Sequence, residues 1–380
     1  MINFIYHNPT TLHFGKDVLK DLGATINLYG KRVLLVYGKG SVKKSGLYDQ
    51  VITILDKAGA EVFEYSGIQS NPVVQDVDAA AAIGRENKVD VILAVGGGSV
   101  IDSSKIISIT IPVNHTAWAF MSYKAKPLEA VPLIAILTLA ATGTEMNSFA
   151  VISNHEVQVK DGYGSPLIYP AHSFLDPQLT CSVPKNYTAY GVADLIAHCF
   201  EAWFGAGEAT LSDRFVISII REAIETGPPL MNDLQNYSLR EKIMYAATMA
   251  LNGFTLHGRI SGDWGVHSIG HILSLLYDVP HGASLTIVYP AWMRFIKNRC
   301  PERVALLGSE LFREKLSADE TIGRIETFFR SIGCPVRLSE LNIPNVQKEM
   351  IYKTMVSNKV SGVNLKLKET DYREIIELFV

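Results

Sequence analysis

Between Lys31 and Glu145 the chain repeats one pattern: a short apolar run, a turn, then a helical period. Lys31 to Tyr37 (KRVLLVY), Ala60 to Tyr65 (AEVFEY), Asp90 to Val95 (DVILAV) and Val131 to Leu137 (VPLIAIL) read as strands. Helices are predicted from the turn Gly38–Ser41 to about Ala58, over Val73–Asn87, and from about Val100. Largely apolar strands alternating with helices belong to a parallel sheet whose two faces are covered by the crossovers. That signal stops at about residue 183. Helical periods then follow at 187–204, 211–226, 239–254, 264–277, 283–298, 301–313, 318–330 and 369–379. The expectation is an α/β N-terminal domain with a Rossmann-like parallel sheet, residues 1–183, and an all-α helical domain, residues 184–380. Residues 1 to about 15 alternate around Asn8-Pro9 and predict a short hairpin.

Composition removes several function classes. With 380 residues, 48% of them hydrophobic and 19% charged, the chain can bury two cores and does not read as disordered. A net charge of −3 supplies no basic field for nucleic acid or an anionic membrane. Apolar runs such as Val131–Ala141 are too short to span a bilayer, and the N-terminus lacks the pattern of a secretion signal. Cys181, Cys199, Cys300 and Cys334 form neither a CxxC pair nor a disulfide framework. A cytoplasmic protein acting on a small molecule is expected.

The turn Gly96-Gly97-Gly98-Ser99 joins a strand to a helix, where backbone amides and a helix N-terminus favour an anion. Ser99 and Asp102 also have the spacing of a capping box. The sequence is not GxGxxG, so the common dinucleotide fingerprint is absent. The turn after the first strand, Gly38-Lys39-Gly40-Ser41, has no acidic residue to hold a ribose 2′-hydroxyl, and Lys39, Lys43 and Lys44 lie close by. That composition favours NADP(H) over NAD(H).

Downstream, Gly258 to Gly282 carries His267, His271 and His281. His267 and His271 are four residues apart on a predicted helix, and Pro280-Gly282 reads as its end and a sharp turn. Two or three imidazoles converging there suit a divalent metal, although each alone reads as well as an ordinary polar or core histidine. Asp194 and His198, in GVADLIAHCFEAWF, also share a helix face. Combined with His267 and His281 they make one carboxylate and three imidazoles, a set that suits Fe2+, Zn2+, Ni2+ or Mn2+.

Taken in order, these motifs resemble the iron-containing, metal-dependent alcohol dehydrogenases, closest to their NADPH-dependent butanol dehydrogenase and aldehyde reductase branch. The resemblance covers essentially the whole chain. It rests on His13-Phe14-Gly15, GGGSVIDSSK (Gly96–Lys105), TLAATGTEMN (Thr138–Asn147), LDPQLT from Leu175, DLIAH (Asp194–His198), GDWGVHSIGH (Gly262–His271) and His281-Gly282. It implies a dehydroquinate synthase-like architecture with the active site in a cleft between the two domains, and a homodimer. Asp194, His198, His267 and His281 would be the metal ligands, with iron favoured. His271 would lie beside the nicotinamide and substrate rather than on the metal. Gly97, Gly98 and Ser99 would hold the pyrophosphate, Gly38, Gly40 and Ser41 the 2′-phosphate end, and Asn71 would line the groove. Asp102, Thr138, Thr142 and Lys160 would be further cofactor contacts. Leu139 and Ala141 replace a threonine and a glycine common in the family, and Phe149 stands where some diol-using members are polar.

The reaction implied is hydride exchange between a nicotinamide and a small to medium aldehyde, ketone or alcohol, with the metal acting as Lewis acid. His271 is a candidate proton relay or a structural hydrogen-bond partner. A polyol or diol dehydrogenase is the first alternative, disfavoured by Phe149. A lyase of the dehydroquinate synthase type would need basic residues for a phosphorylated substrate, and Arg259 is the one cation near the candidate ligands in sequence.

Overall fold

The computed structural model describes residues 1–343 and 346–380. Two compact units are formed, one from His7–Val183 with Gln235–Met244, the other from Met1–Tyr6, Pro184–Leu234 and Tyr245–Val380. The division expected at residue 183 is therefore crossed by two short segments, Met1–Tyr6 and Gln235–Met244.

The first unit is built on a six-stranded, all-parallel sheet. Its strands are β1 (Thr11–Phe14), β2 (Arg32–Gly38), β3 (Glu61–Ile68), β4 (Val91–Gly96), β5 (Leu133–Leu137) and β8 (His172–Leu175), in the order β1-β8-β5-β4-β2-β3. The central strands β4 and β5 are buried along their whole length, which is why they read as continuous apolar runs. Successive side chains go to opposite faces. Leu34, Val36, Ile92, Ala94, Leu133 and Ala135 join one core; Val33, Leu35, Val91, Leu93, Ile134 and Ile136 join the other. The helix Gly98–Thr110 packs in the first of these cores and is buried at every residue except Ser99.

Two expectations for this unit are corrected. Residues 1–10 carry no strand, and β1 pairs in parallel with β8, so there is no N-terminal hairpin. Asn8-Pro9 leads instead into an edge strand, with Asn8 donating its side-chain amide to the Met146 carbonyl at 2.8 Å. A hairpin does form later, where β6 (Phe149–Asn154) pairs antiparallel with β7 (Val159–Gly164).

The second unit is helical. Its helix Lys185–Trp203 is buried continuously from Gly191 to Trp203, so it lies within the unit rather than on it. Helices Gly265–Tyr277 and His281–Ile296 follow, separated by three residues. His281 thus opens a helix, and the expected sharp turn at Gly282 does not occur. Gly282 serves close packing: a Cβ there would overlap the backbone of Tyr190 on helix Lys185–Trp203. Among the described residues, no helix is long and apolar enough to cross a membrane.

Candidate metal centre and dinucleotide loops

Three elements of the helical unit bring four donors together. Asp194 and His198 are one turn apart on helix Lys185–Trp203, His267 lies in the first turn of Gly265–Tyr277, and His281 is the first residue of His281–Ile296. The Nε2 atoms of His281, His198 and His267 lie 3.6, 3.7 and 3.9 Å from Asp194 Oδ1. Donors placed tetrahedrally around one ion at ordinary metal–ligand distances stand about 3.4 Å apart. Donor atoms of Asp194, His267 and His281 all lie within 4.8 Å of one another, and His198 joins them through Asp194. Donor type and spacing therefore fit one divalent cation.

Burial prepares these groups. The side chains of Asp194, His198 and His267 are 3%, 5% and 8% exposed, whereas that of His281 is 24% exposed, so the cluster opens on the His281 side. Burial, with His267 close by, holds the His198 imidazole well below its usual range, so no proton competes for its lone pair at neutral pH. Trp264 sets its ring edge-on to both His198 and His267, at centroid distances of 6.4 and 5.4 Å.

His271 is placed differently. It sits one turn beyond His267, with its ring centroid 6.5 Å from that of His267 and 5.6 Å from that of His281. Helix spacing alone made it as good a ligand as His267. As the resemblance implied, it is His281, from the next helix, whose Nε2 lies beside Asp194 Oδ1.

Two acids missed in the sequence brace this centre. Glu201 is 1% exposed, and its Oε1 lies 2.7 Å from His267 Nδ1. It also accepts the backbone N–H groups of Trp264 and His267 at the start of the helix. Burial pushes the Glu201 carboxyl up to about 7, against the pull of those donors. Asp263 is fully buried and accepts the N–H groups of Asn364 and Leu365, pinning that segment beside the His267 helix. Burial, with Glu201 near, raises its carboxyl to about 6. Glu201 could have been found from spacing: Asp194, His198 and Glu201 stand at i, i+4 and i+7, one helix face.

The sheet unit gathers the glycine-bearing turns at the carboxyl ends of its strands. Gly97 precedes helix Gly98–Thr110 directly after β4, and a Cβ on Gly98 would meet Thr142 Oγ1 at 2.7 Å. Thr138 donates its N–H to Gly96 at 3.0 Å. Gly38 ends β2, and Gly40, at φ 143°, leads into the short helix beginning at Ser41. Asn71 and Lys160 are both buried and meet, with Lys160 Nζ donating to Asn71 Oδ1 at 2.7 Å.

The expected Ser99–Asp102 capping box is absent. Ser99 lies inside the helix and donates to the Ser70 carbonyl, while Asp102 turns to the loop beyond β5. Asp102 accepts from Thr144 Oγ1 at 2.6 Å and from the Val151 N–H at 2.9 Å. Lys105, fully buried, donates to Thr144 Oγ1, Asn147 Oδ1 and the Phe149 carbonyl at 2.7, 2.9 and 2.7 Å. Burial pulls the Lys105 ammonium down to about 7, against the charges of Asp102 and Glu145. The loop holding Thr138 and Thr142 is thus tied to the central helix by a buried polar network. Phe149 is half exposed at the start of the hairpin, its ring beside Gly164.

Comparison with known proteins agrees with these features. Residues 9–177 match the model of the iron-containing alcohol dehydrogenases, and residues 188–379 that of the C-terminal region of the same family. The chain belongs to the iron-containing alcohol dehydrogenase family. It is 44% identical to "Probable NADH-dependent butanol dehydrogenase 1" of Bacillus subtilis, over 99% of both chains. It is 36% identical to the NADPH-dependent aldehyde reductase YqhD of Escherichia coli, over 90% of both. A crystal structure of NADH-dependent butanol dehydrogenase A from Thermotoga maritima superposes with a TM-score of 0.95 at 35% identity, covering 100% of this chain and 98% of that one. Interconversion of alcohols and aldehydes is the chemistry of this family member.

Proposed function

We propose that this alcohol dehydrogenase is metal-dependent, uses NADPH in preference to NADH, and acts on small to medium aldehydes or ketones and their alcohols. The observation that carries the metal-dependent reading is the convergence of three imidazole Nε2 atoms on one buried carboxylate oxygen. Asp194, His198, His267 and His281 would hold the ion, Fe2+ by family, the donor set suiting Zn2+, Ni2+ or Mn2+ as well. A divalent cation there supplies Lewis acidity to a substrate oxygen, while the nicotinamide supplies or takes the hydride. Asp194 offsets part of the ion's charge, the neutral imidazoles leave the remainder, and the open side at His281 admits substrate.

His271 would carry a proton between this centre and solvent, since it lies beside His281 and outside the donor cluster around Asp194. His271→Ala is expected to retain its bound metal while turnover falls about a hundredfold. Metal loss equal to that of His267→Ala would refute this division of roles.

Preference for NADPH is supported by the acid-free turn Gly38–Ser41. Lys43 lies over the rings of Tyr48 and Tyr37 at 4.4 and 5.2 Å, whose hydroxyls both donate to Glu64, and this holds its ammonium beside the turn. Relatives are named for either coenzyme, which makes the comparison of kcat/KM for NADPH and NADH with butanal the deciding experiment. A higher value for NADPH is expected, and equality or an advantage for NADH would overturn the preference. Gly97, Gly98 and Ser99 would receive the pyrophosphate, and Asn71 with Lys160 the neighbouring part of the dinucleotide. Thr138, Thr142 and Asp102 shape that loop. A homodimer is proposed from the family resemblance, with the edge strands β1 and β3 of the sheet open to pairing. A cytoplasmic location is proposed because all four cysteines are thiols.

A further inference from the structure

We propose that Glu201 is a positioning residue that presets His267 for the metal, an inference that rests on the metal-site reading above. The carboxylate sits on the same helix as Asp194 and His198, one turn beyond His198, on the face they share. Its Oε1 faces His267 Nδ1 at 2.7 Å and accepts the His267 backbone N–H at 3.1 Å, while Oε2 accepts the Trp264 N–H. Both Glu201 oxygens already face backbone N–H donors, an arrangement that favours the ionised carboxylate, which only accepts. The proton of the neutral ring is drawn to Nδ1 and the Nε2 lone pair is left facing Asp194. The opposite tautomer would point a proton at the donors of the metal centre.

The two roles of Glu201 reinforce each other. The first-turn amides of a helix have no intrahelical acceptor, and a carboxylate there is favoured by the helix dipole. Trp264 precedes that helix in the left-handed region, at φ 65°, a conformation that needs holding in a residue with a side chain. Glu201 fixes both the start of the helix and the rotation of its first functional ring. Asp194, His198 and His267 are thereby referred to one rigid element, the helix Lys185–Trp203. Such partners of ligating imidazoles typically change metal affinity by about 10–100-fold when removed.

The test uses the full-length chain, stripped of metal and titrated with Co2+ against a chromophoric chelator. The wild type is expected to bind one ion, and Glu201→Gln to bind it about 10–100-fold more weakly, with an altered cobalt visible spectrum. A purely structural role would lower the melting temperature of metal-free Glu201→Gln and leave both the Co2+ affinity and the spectrum unchanged. That result overturns the proposal. A wild type that binds no Co2+ overturns the metal-site reading instead. If the variant does not fold, nitrogen-15 NMR of histidine-labelled, metal-free wild type decides. The His267 proton is expected on Nδ1, and a proton on Nε2 would refute the assignment.

Discussion

Asp194→Asn is expected to yield a folded protein that has lost its metal and nearly all of its dehydrogenase activity. Three imidazole nitrogens lie 3.6 to 3.9 Å from one oxygen of this carboxylate, so it is the shared neighbour of every other donor. The substitution keeps the shape of the side chain and removes its negative charge. A dication would then be held by three neutral rings and an amide in a site closed to water on most sides, where loss of an opposite charge is felt strongly. Metal affinity should fall by more than the hundredfold typical of an outer partner, and turnover with butanal should fall with it. Metal content by elemental analysis, paired with circular dichroism, checks this. A variant that keeps both its ion and its activity would show that Asp194 is not a ligand.

Lys105→Met is expected to be among the most destabilising single changes in the sheet unit, by about 3–5 kcal/mol at neutral pH, because it leaves three buried acceptors without their donor. Thr144, Asn147 and the Phe149 carbonyl would each lose a donor, and buried Asp102 would lose a nearby amine whose charge favours its ionised form. Methionine fills nearly the same volume, so the loss would come from unsatisfied polar groups rather than a cavity. The pH dependence carries a sign. Folded Lys105 titrates near 7, below its ordinary 10.5, so between those values the folded protein binds fewer protons than the unfolded chain. The wild type should therefore gain stability as pH rises through that window, and the variant should lose this gain. Urea unfolding at pH 7 and pH 9 measures both effects. An unchanged midpoint in Lys105→Met would refute the network's importance.

Legibility in the sequence followed burial and local geometry. The central strands were readable because both faces are covered and the residues are apolar without interruption. The β6–β7 hairpin was not: Phe149–Asn154 exposes its phenylalanine and buries its polar end, and Val159–Gly164 carries Lys160, Asp161 and two glycines, so neither run shows a clean alternation. The edge strand β1 was mistaken for half of a hairpin because alternation says nothing about which partner a strand finds, and its partner lies over 150 residues later. At the metal centre the donor types were legible and the geometry was not. An i, i+4 pair proposes His267 with His271; it was the family resemblance that set His281 in that place, and the structure sets its Nε2 3.6 Å from Asp194 Oδ1. Gly282 looked like a turn and is a contact point. Glu201 escaped because a glutamate on a helix is ordinarily a solvated residue, although the nearly all-apolar run GVADLIAHCFEAWF around it is the mark of a buried helix.

The central claim is that one divalent ion, held by Asp194, His198, His267 and His281, is required for turnover. Its most direct test is butanal reduction by anaerobically purified protein whose metal has been quantified, then by the same protein after chelation and after readdition of Fe2+. One ion per chain, activity lost with the ion and restored with it, is the expected result. Full activity in metal-free protein would contradict the account.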